Sequence, residues 1–186
     1  PVLSPADAMK SFELAPGFEM KAFATEPMVE EPVALDYDPA GRLWICEMIG
    51  YMTDIDGSDE DTPMGRIVVL EDTDKDGKAD KRTVFLDNLL LPRAVAVYPD
   101  GLLYATQENL LFIKRDGLKP VGEPTVAAKG YIAGGNVEHR ANGLVRGLDN
   151  WLYNAKSAMR IRRINGKFVS EPTLFRGQWG VAFDNQ

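Results

Sequence analysis

The sequence predicts an all-β protein, and within that class a β-propeller, on three observations. Short apolar runs that suit β-strands recur along the chain, separated by turns rich in Gly, Pro, Asp and Asn. A similar hairpin pattern returns at residues 32–47, 92–108 and 141–156. Further predicted strands lie between these copies, which gives about four strands per unit, the number found in a propeller blade.

Each copy of the pattern reads as two strands joined by a tight turn, with an aromatic residue in the second strand. The copies are P-V-A-L-D-Y-D-P-A-G-R-L-W-I-C-E, P-R-A-V-A-V-Y-P-D-G-L-L-Y-A-T-Q-E and A-N-G-L-V-R-G-L-D-N-W-L-Y-N-A-K. The opening of another copy, W-G-V-A-F-D-N-Q, stands at residues 179–186. A β-sandwich also contains many short strands, but it does not explain why one hairpin recurs.

We therefore predict about three blades and the first strand of another in residues 32–186, preceded by an N-terminal segment at residues 1–31. In that segment Ser4 and Pro5 predict a short helix, because Ser caps helices and Pro suits their first turn. The alternation of apolar and polar residues at 18–25 predicts a first strand. Closed propellers have roughly four to eight blades, so we expect this chain to be a fragment of a larger ring.

Composition narrows the range of partners. The 186 residues carry a net charge of -7, and the isoelectric point is near 4.8. Such an acidic chain is poorly suited to nucleic acid or to an anionic membrane surface. No apolar run approaches the roughly 18 residues that a membrane span needs. The single cysteine, Cys46, lies in an apolar run, so we interpret it as a small buried hydrophobe rather than a nucleophile.

The acidic segment E-D-T-D-K-D-G-K-A-D-K-R-T at residues 71–83 predicts a calcium site. Its spacing matches the start of the D-x-D-x-D-G calcium loop, in which carboxylates at alternate positions surround one cation. The predicted ligands are Asp72, Asp74, Asp76, the backbone carbonyl of Lys78, and Asp80. Thr83 replaces the bidentate Glu of an EF-hand, and strands rather than helices are predicted on both sides. A solvated acidic loop without metal is the alternative.

The only histidine, His139, stands where a loop is predicted to meet the first strand of the third hairpin. Arg140 follows it and offers a fixed cation for an anionic ligand, and Asn142 adds a neutral donor and acceptor. A neutral imidazole can accept the proton of a hydroxyl group, as the oxidation of an alcohol or sugar requires. Glu47 and Tyr51, which follow a strand of the first blade, are further candidates for the same site. A purely structural or exposed histidine is the alternative.

Three segments carry a resemblance to a known family: H-R-A-N-G-L-V-R-G-L-D-N-W-L-Y, R-L-W-I-C-E-M-I-G-Y and G-R-I-V-V-L-E-D-T-D-K-D-G-K-A-D-K. Together they resemble the family of membrane-bound dehydrogenases of planctomycetes and related bacteria, in which a propeller precedes helical repeats and a c-type haem domain. More distantly, the chain is similar to the soluble glucose and sorbosone dehydrogenases that use pyrroloquinoline quinone (PQQ).

The resemblance implies an exported, periplasmic propeller of a bacterial PQQ-type oxidoreductase that oxidises a sugar or an alcohol. His139 would be the general base, with Arg140, Asn142, Glu47 and Tyr51 near the cofactor or substrate. Glu138 would replace the carboxylate that orients the base. The chain has no C-x-x-C-H motif, so a c-type cytochrome domain, like the remainder of the ring, would be a separate partner. Two alternatives stay open: a non-catalytic calcium-stabilised propeller that binds carbohydrate or a partner protein, and a propeller lactonase with a metal in the central channel.

Overall fold

The prediction of an all-β fold is confirmed by the computed structural model, which describes residues 2–106, 108–132 and 135–183. Twelve strands in the described residues form three four-stranded antiparallel sheets, which we call blades 1, 2 and 3. Blade 1 contains β1 (Pro32–Tyr37), β2 (Leu43–Glu47), β3 (Gly65–Glu71) and β4 (Lys81–Leu89). Blade 2 contains β5 (Ala94–Tyr98), β6 (Gly101–Ala105), β7 (Leu110–Asp116) and β8 (Lys119–Ala128). Blade 3 contains β9 (Asn142–Arg146), β10 (Leu152–Ala155), β11 (Met159–Ile164) and β12 (Lys167–Pro172).

Within each blade the strands follow one another in chain order, and the blades stand side by side. The first strands meet, since β1 contacts β5 and β5 contacts β9, and β1 also reaches β9. At the other edge β8 contacts β4 and β12. This is the arrangement of propeller blades around an axis, with the first strand of each blade innermost. Of the further strand expected at residues 179–186, residues 179–183 form no strand and the rest lie outside the described residues.

The core fills the two interfaces between neighbouring blades. Between blades 1 and 2, Trp44 and Cys46 pack with Leu102 and Tyr104. Between blades 2 and 3 a second cluster includes Leu103, Phe112, Leu144, Leu152 and Ile161. Burial raises the pKa of the Cys46 thiol to about 12, so this group is an inert core residue, as the sequence indicated.

The hairpins of blades 1 and 2 differ in register, although their sequences align. Asp36 pairs with Trp44 in blade 1, whereas Ala96, its counterpart in blade 2, pairs with Leu103 rather than with Tyr104. Because side chains alternate along a strand, this single step reverses the faces. Trp44 therefore faces blade 2 and Tyr104 faces blade 1, so the two aromatic residues meet in the same interface.

The N-terminal segment begins with a short helix, α1 (Pro5–Lys10), in which the Ser4 hydroxyl accepts a hydrogen bond from the Asp7 N–H at 3.2 Å. Residues 18–25, all of them described, do not form the predicted strand. Their main chain runs extended beside blade 1, and the carbonyl of Phe23 accepts a hydrogen bond from Ala79 N–H. Phe23 and Ala24 of this stretch pack on the face of blade 1 that points away from blade 2, whereas Phe18 and Met20 are exposed. Among the described residues, no helix is long and apolar enough to cross a membrane.

The connections between strands gather at two opposite ends of the blades. One end, which we call the loop face, carries the long connections at residues 48–64 and 129–141 together with residues 90–93. The other end, which we call the hairpin face, carries the turns at residues 38–42, 72–80, 99–100, 117–118, 147–151 and 165–166. The predicted histidine site and the predicted calcium loop therefore lie on opposite faces.

Candidate functional site

His139 lies on the loop face, at the end of a 3-10 helix that spans Val137–His139 and leads into β9. The helix is capped by Asn136, whose side-chain oxygen accepts a hydrogen bond from the Glu138 N–H at 3.3 Å. About half of the His139 side chain is exposed. The imidazole is thus held by a short helix on the loop face, where a ligand can reach it.

Three side chains from two blades form a polar chain around this histidine. Glu138 Oε1 lies 3.5 Å from His139 Nε2, and the Tyr51 hydroxyl donates a hydrogen bond to Glu138 Oε2 at 3.3 Å. Tyr51 comes from the long loop of blade 1 and Glu138 from the loop that leads into blade 3, so this contact joins two loops of the loop face. Burial, and then the nearby Glu138 charge, raise the pKa of the Tyr51 phenol, which keeps it a donor at neutral pH.

Arg93 is the functional candidate that the sequence reasoning missed. It precedes β5 and is almost completely buried, yet it forms no ion pair among the described residues. Its Nη1 donates to the carbonyl of Val137 at 2.6 Å and its Nε to that of Leu91 at 3.2 Å. Burial, and then the positive charge of Arg140, lower the pKa of Arg93 to about 10. A charged residue at the head of the apolar run A-V-A-V was the signal that could have revealed it.

The predicted site residues Arg140, Asn142 and Glu47 have different environments. Arg140 stands beside His139 and donates from Nε and Nη2 to the Gly135 carbonyl, each at 3.3 Å. Asn142 is buried, and its amide donates to the carbonyls of Arg140 and Gln178. These bonds hold the start of β9. The Asn142 side chain therefore has a structural role here, and a cofactor contact would require these bonds to break.

Glu47 has a similar structural role at the end of β2. Its carboxylate is fully buried, accepts a hydrogen bond from Glu30 N–H at 3.0 Å, and pairs with Arg82 at 2.8 Å. Arg66 lies 3.9 Å away. These contacts join three strands of blade 1 to the N-terminal segment. In this structure Glu47 thus binds the protein itself, while Tyr51, four positions later, reaches the histidine.

The acidic turn between β3 and β4 lies on the hairpin face. Oxygens of Asp72, Asp74 and Asp80 lie within 4.8 Å of one another, which is the separation that one bound cation spans. The turn is shaped by its own side chains: Gly77 N–H donates to Asp72 Oδ2 at 2.9 Å, and Thr73 Oγ1 donates to Asp80 Oδ2 at 2.6 Å. The hydrogen bond from Thr73 lowers the pKa of Asp80.

One predicted ligand, Asp76, is outside this group of three. Its Oδ1 accepts a hydrogen bond from the Lys78 N–H at 2.8 Å. Its own N–H donates to Asp72 and Asp74. Three carboxylates in a hydrogen-bonded turn fit a hard cation such as Ca²⁺, which binds oxygen ligands. The structure therefore supports a candidate metal cluster at this turn, with Asp76 helping to shape it.

Fold and site together define a β-propeller with a histidine site on one face and an acidic cluster on the other. Over residues 4–186 the chain matches the family described as domain of unknown function (DUF7133), and it belongs to that family. No curated protein is similar to it in sequence.

One solved structure supports the propeller fold, and two more are similar at lower TM-scores. A protein assigned as a gluconolactonase is 15% identical, with a TM-score of 0.55, over 91% of this chain and 58% of its own. The calcium-binding protein regucalcin from Agrobacterium tumefaciens is 19% identical, with a TM-score of 0.49, over 78% of this chain and 45% of its own. A protein of Thermus thermophilus assigned as an oxidoreductase (glucose dehydrogenase) is 16% identical, with a TM-score of 0.49, over 70% of this chain and 38% of its own. The chain thus spans about half the length of these propellers.

Proposed function

We propose that the loop face is the substrate face of a dehydrogenase that oxidises a hydroxyl group of a sugar or an alcohol. The observation that carries this proposal is the polar chain from Tyr51 through Glu138 to His139, beside the buried guanidinium of Arg93. A general base, a carboxylate that orients it and a cationic anchor are what such a reaction asks of the protein. In this proposal His139 is the base.

The two ring nitrogens of His139 have different tasks. Nε2 lies 3.5 Å from Glu138 Oε1, so a proton carried on Nε2 leaves Nδ1 as the acceptor. A substrate hydroxyl that reaches Nδ1 gives its proton to the imidazole, and the carboxylate of Glu138 stabilises the imidazolium that forms. Tyr51 holds Glu138 from the other side through Oε2. Contacts of this kind tighten when a substrate binds.

A quinone cofactor such as PQQ supplies the hydride acceptor when it is bound. Its carboxylates would be attracted by the positive charges on this face, those of Arg140 and of the buried Arg93, which forms no ion pair among the described residues. The proposal includes the calcium ion at the acidic turn as a structural support. Export to the periplasm, a cytochrome partner and the likeness to the planctomycete family stay predictions.

The second candidate is a non-catalytic propeller that binds carbohydrate or a partner protein. It is favoured by the 3.5 Å separation of His139 and Glu138, which is long for a hydrogen bond. A lactonase, suggested by the name of one structural relative, is less well supported. The acidic group found among the described residues lies on the hairpin face, opposite His139, rather than in a central channel.

The test is a titration of the purified protein with PQQ and Ca²⁺, followed by dye-linked oxidation of a panel of sugars and alcohols. We expect saturable binding and turnover. The change His139→Ala should reduce kcat by at least about 100-fold, the usual contribution of a general base. Glu138→Gln should reduce kcat less, and Glu123→Gln, an exposed carboxylate on β8, is the matched control and should leave it unchanged.

The outcomes separate the candidates. If PQQ does not bind at any calcium concentration, the dehydrogenase proposal is wrong. If a sugar binds equally well to the wild-type protein and to the His139→Ala variant, and neither turns it over, the loop face is a binding surface.

A further inference from the structure

The hairpin face of blade 3 contains a cavity of about 530 Å³ between the turns that follow β9 and β11. Its lining residues are Arg146, Asn150, Arg162, Arg163, Ile164 and Asn165. Three of these six carry a guanidinium group and none carries a carboxylate. In a chain with a net charge of -7, such a concentration of positive charge needs an explanation.

Aromatic rings hold two of these guanidinium groups in place. The guanidinium carbon of Arg162 lies 4.5 Å from the centroid of Trp151, and that of Arg146 lies 4.9 Å from the centroid of Tyr98. Stacking of this kind fixes the plane of the group and leaves its N–H edge available. The Nε of Arg162 is buried and has no hydrogen-bond partner among the described residues.

The acidic groups near the cavity are engaged elsewhere. Arg163 is neutralised by Asp100, with Nη1 at 2.6 Å and Nη2 at 2.9 Å from its two oxygens. Among the described residues, Arg146 and Arg162 form no such pair. Arg146 and the carboxylate of Asp36 interact electrostatically but form no ion pair. The hydrogen bonds of that carboxylate come from the N–H groups of Tyr37 and Val97. Arg146 and Arg162 therefore line this cavity without an ion-pair partner among the described residues.

We propose that this cavity binds an oxyanion, the phosphate or carboxylate group of a small molecule. Two guanidinium groups that stack on aromatic rings line it, and arginine forks match the paired oxygens of phosphate and of carboxylate. Asn150 and Asn165 stand at the tips of the two turns and add neutral amide donors at the rim. The site lies on the face opposite His139 and does not depend on the proposed dehydrogenase activity.

The experiment is a calorimetric titration of the protein with inorganic phosphate and, separately, with malonate, at low and at high sodium chloride. We expect saturable millimolar binding of at least one probe, which weakens as salt screens the charges. Arg162→Gln and Arg146→Gln should each weaken binding about tenfold, because each removes one charge-assisted contact. A comparison of the two probes tells a phosphate site from a carboxylate site.

Arg160→Gln is the matched control. Arg160 is on the same strand as Arg162 and stacks on the same ring, Trp151, at 4.4 Å, but it pairs with Glu171 at 2.8 Å and does not line the cavity. This variant should bind both probes as the wild type does. The proposal is overturned if neither probe binds, or if Arg160→Gln weakens binding as much as Arg162→Gln, since that would be a general effect of charge. Circular dichroism of each variant checks that the fold is intact.

Discussion

Blades 1 and 3 each have two turns at matching positions on the hairpin face, but the candidate sites beside the second of these turns carry charges of opposite sign. In blade 1 the turn at 72–80 gathers the carboxylates of the candidate calcium cluster. In blade 3 the matching turn is only Asn165-Gly166, and it borders the cavity with two arginines that form no ion pair among the described residues. One scaffold thus presents a candidate cation site and the proposed anion site on one face. The strands fix where the turns stand, and the turn residues decide what binds there.

The aspartates of the first turns differ as well. Asp38, in blade 1, is buried and accepts hydrogen bonds from Arg42 Nε at 2.6 Å and from Trp44 Nε1 at 3.1 Å. Asp149, in blade 3, is about half exposed and accepts from the Tyr153 hydroxyl at 2.7 Å. The same residue type is thus part of the core in one blade and part of the surface in the other. Its substitution should therefore have unequal effects.

The largest effect is expected for Asp38→Asn, which should lower the free energy of unfolding by about 3 kcal/mol. The asparagine amide would place donors against Arg42 and Trp44, which are donors themselves, in a buried site. Urea unfolding of wild type and variant at pH 7 measures the difference. A loss well below 1 kcal/mol, no larger than that of an exposed pair, would contradict the contrast between the two turns.

The pH dependence of stability sharpens the same point. Burial alone would raise the pKa of Asp38, but the hydrogen bonds and charge of Arg42 and the Trp44 N–H outweigh it, so that the pKa lies below its ordinary value. A lowered pKa in the folded state means that Asp38 stabilises the protein above about pH 4, and that this contribution is lost as the pH falls through its folded-state pKa. Between neutral and acidic pH, the free energy of unfolding should therefore fall more steeply with decreasing pH for wild type than for Asp38→Asn.

A smaller effect is expected from calcium at the turn of blade 1. Saturating Ca²⁺, at about 100 times its dissociation constant, should raise the free energy of unfolding by about 2.7 kcal/mol. Asp72→Asn should abolish this gain, because Asp72 is a member of the cluster and also shapes the turn through Gly77 N–H. Asp54→Asn, in the acidic loop 48–64, is the control and should keep the gain. Thermal unfolding with Ca²⁺ and with EDTA provides the measurement.

Asp149→Asn should change the unfolding free energy by less than about 1 kcal/mol, since exposed ion pairs contribute little. Arg160 lies 3.8 Å from this carboxylate but keeps its partner Glu171. The same urea experiment that tests Asp38 provides this value. An equal loss in both variants would show that the two turns do not differ as described.

The smallest effect concerns the cavity of blade 3. Asp100→Asn releases Arg163 and adds a third guanidinium group without an ion-pair partner to the lining. We expect phosphate to bind roughly two- to fivefold more tightly, in keeping with the modest strength of an exposed pair. Calorimetry of this variant beside wild type measures the change, and weaker binding would contradict the assigned lining.

The sequence predicted the parts of this molecule that local patterns control. Turn residues and alternation located the blades, and carboxylate spacing located the acidic turn, because both depend on neighbours along the chain. Arg93 was missed because its importance arises from burial beneath Val137, which lies far away in sequence. Glu47 and Asn142 were placed near a cofactor because sequence does not show that Arg82 and Gln178 engage them. Alternation also predicted a strand at 18–25, but only the adjacent residues Phe23 and Ala24 pack on blade 1, and the alternating residues Phe18 and Met20 are exposed.

The register difference between the first two hairpins also bears on how propeller repeats diverge. A one-residue difference in how two strands pair, with no residue inserted or deleted between them, makes the aligned side chains of the second strand face opposite neighbouring blades. Trp44 and Tyr104, aligned in the repeat, consequently share one interface, and the next is filled by Leu103 and its partners. The pairing register of a hairpin can therefore redistribute aligned bulky residues among blades, even when the chain between the two strands keeps the same length.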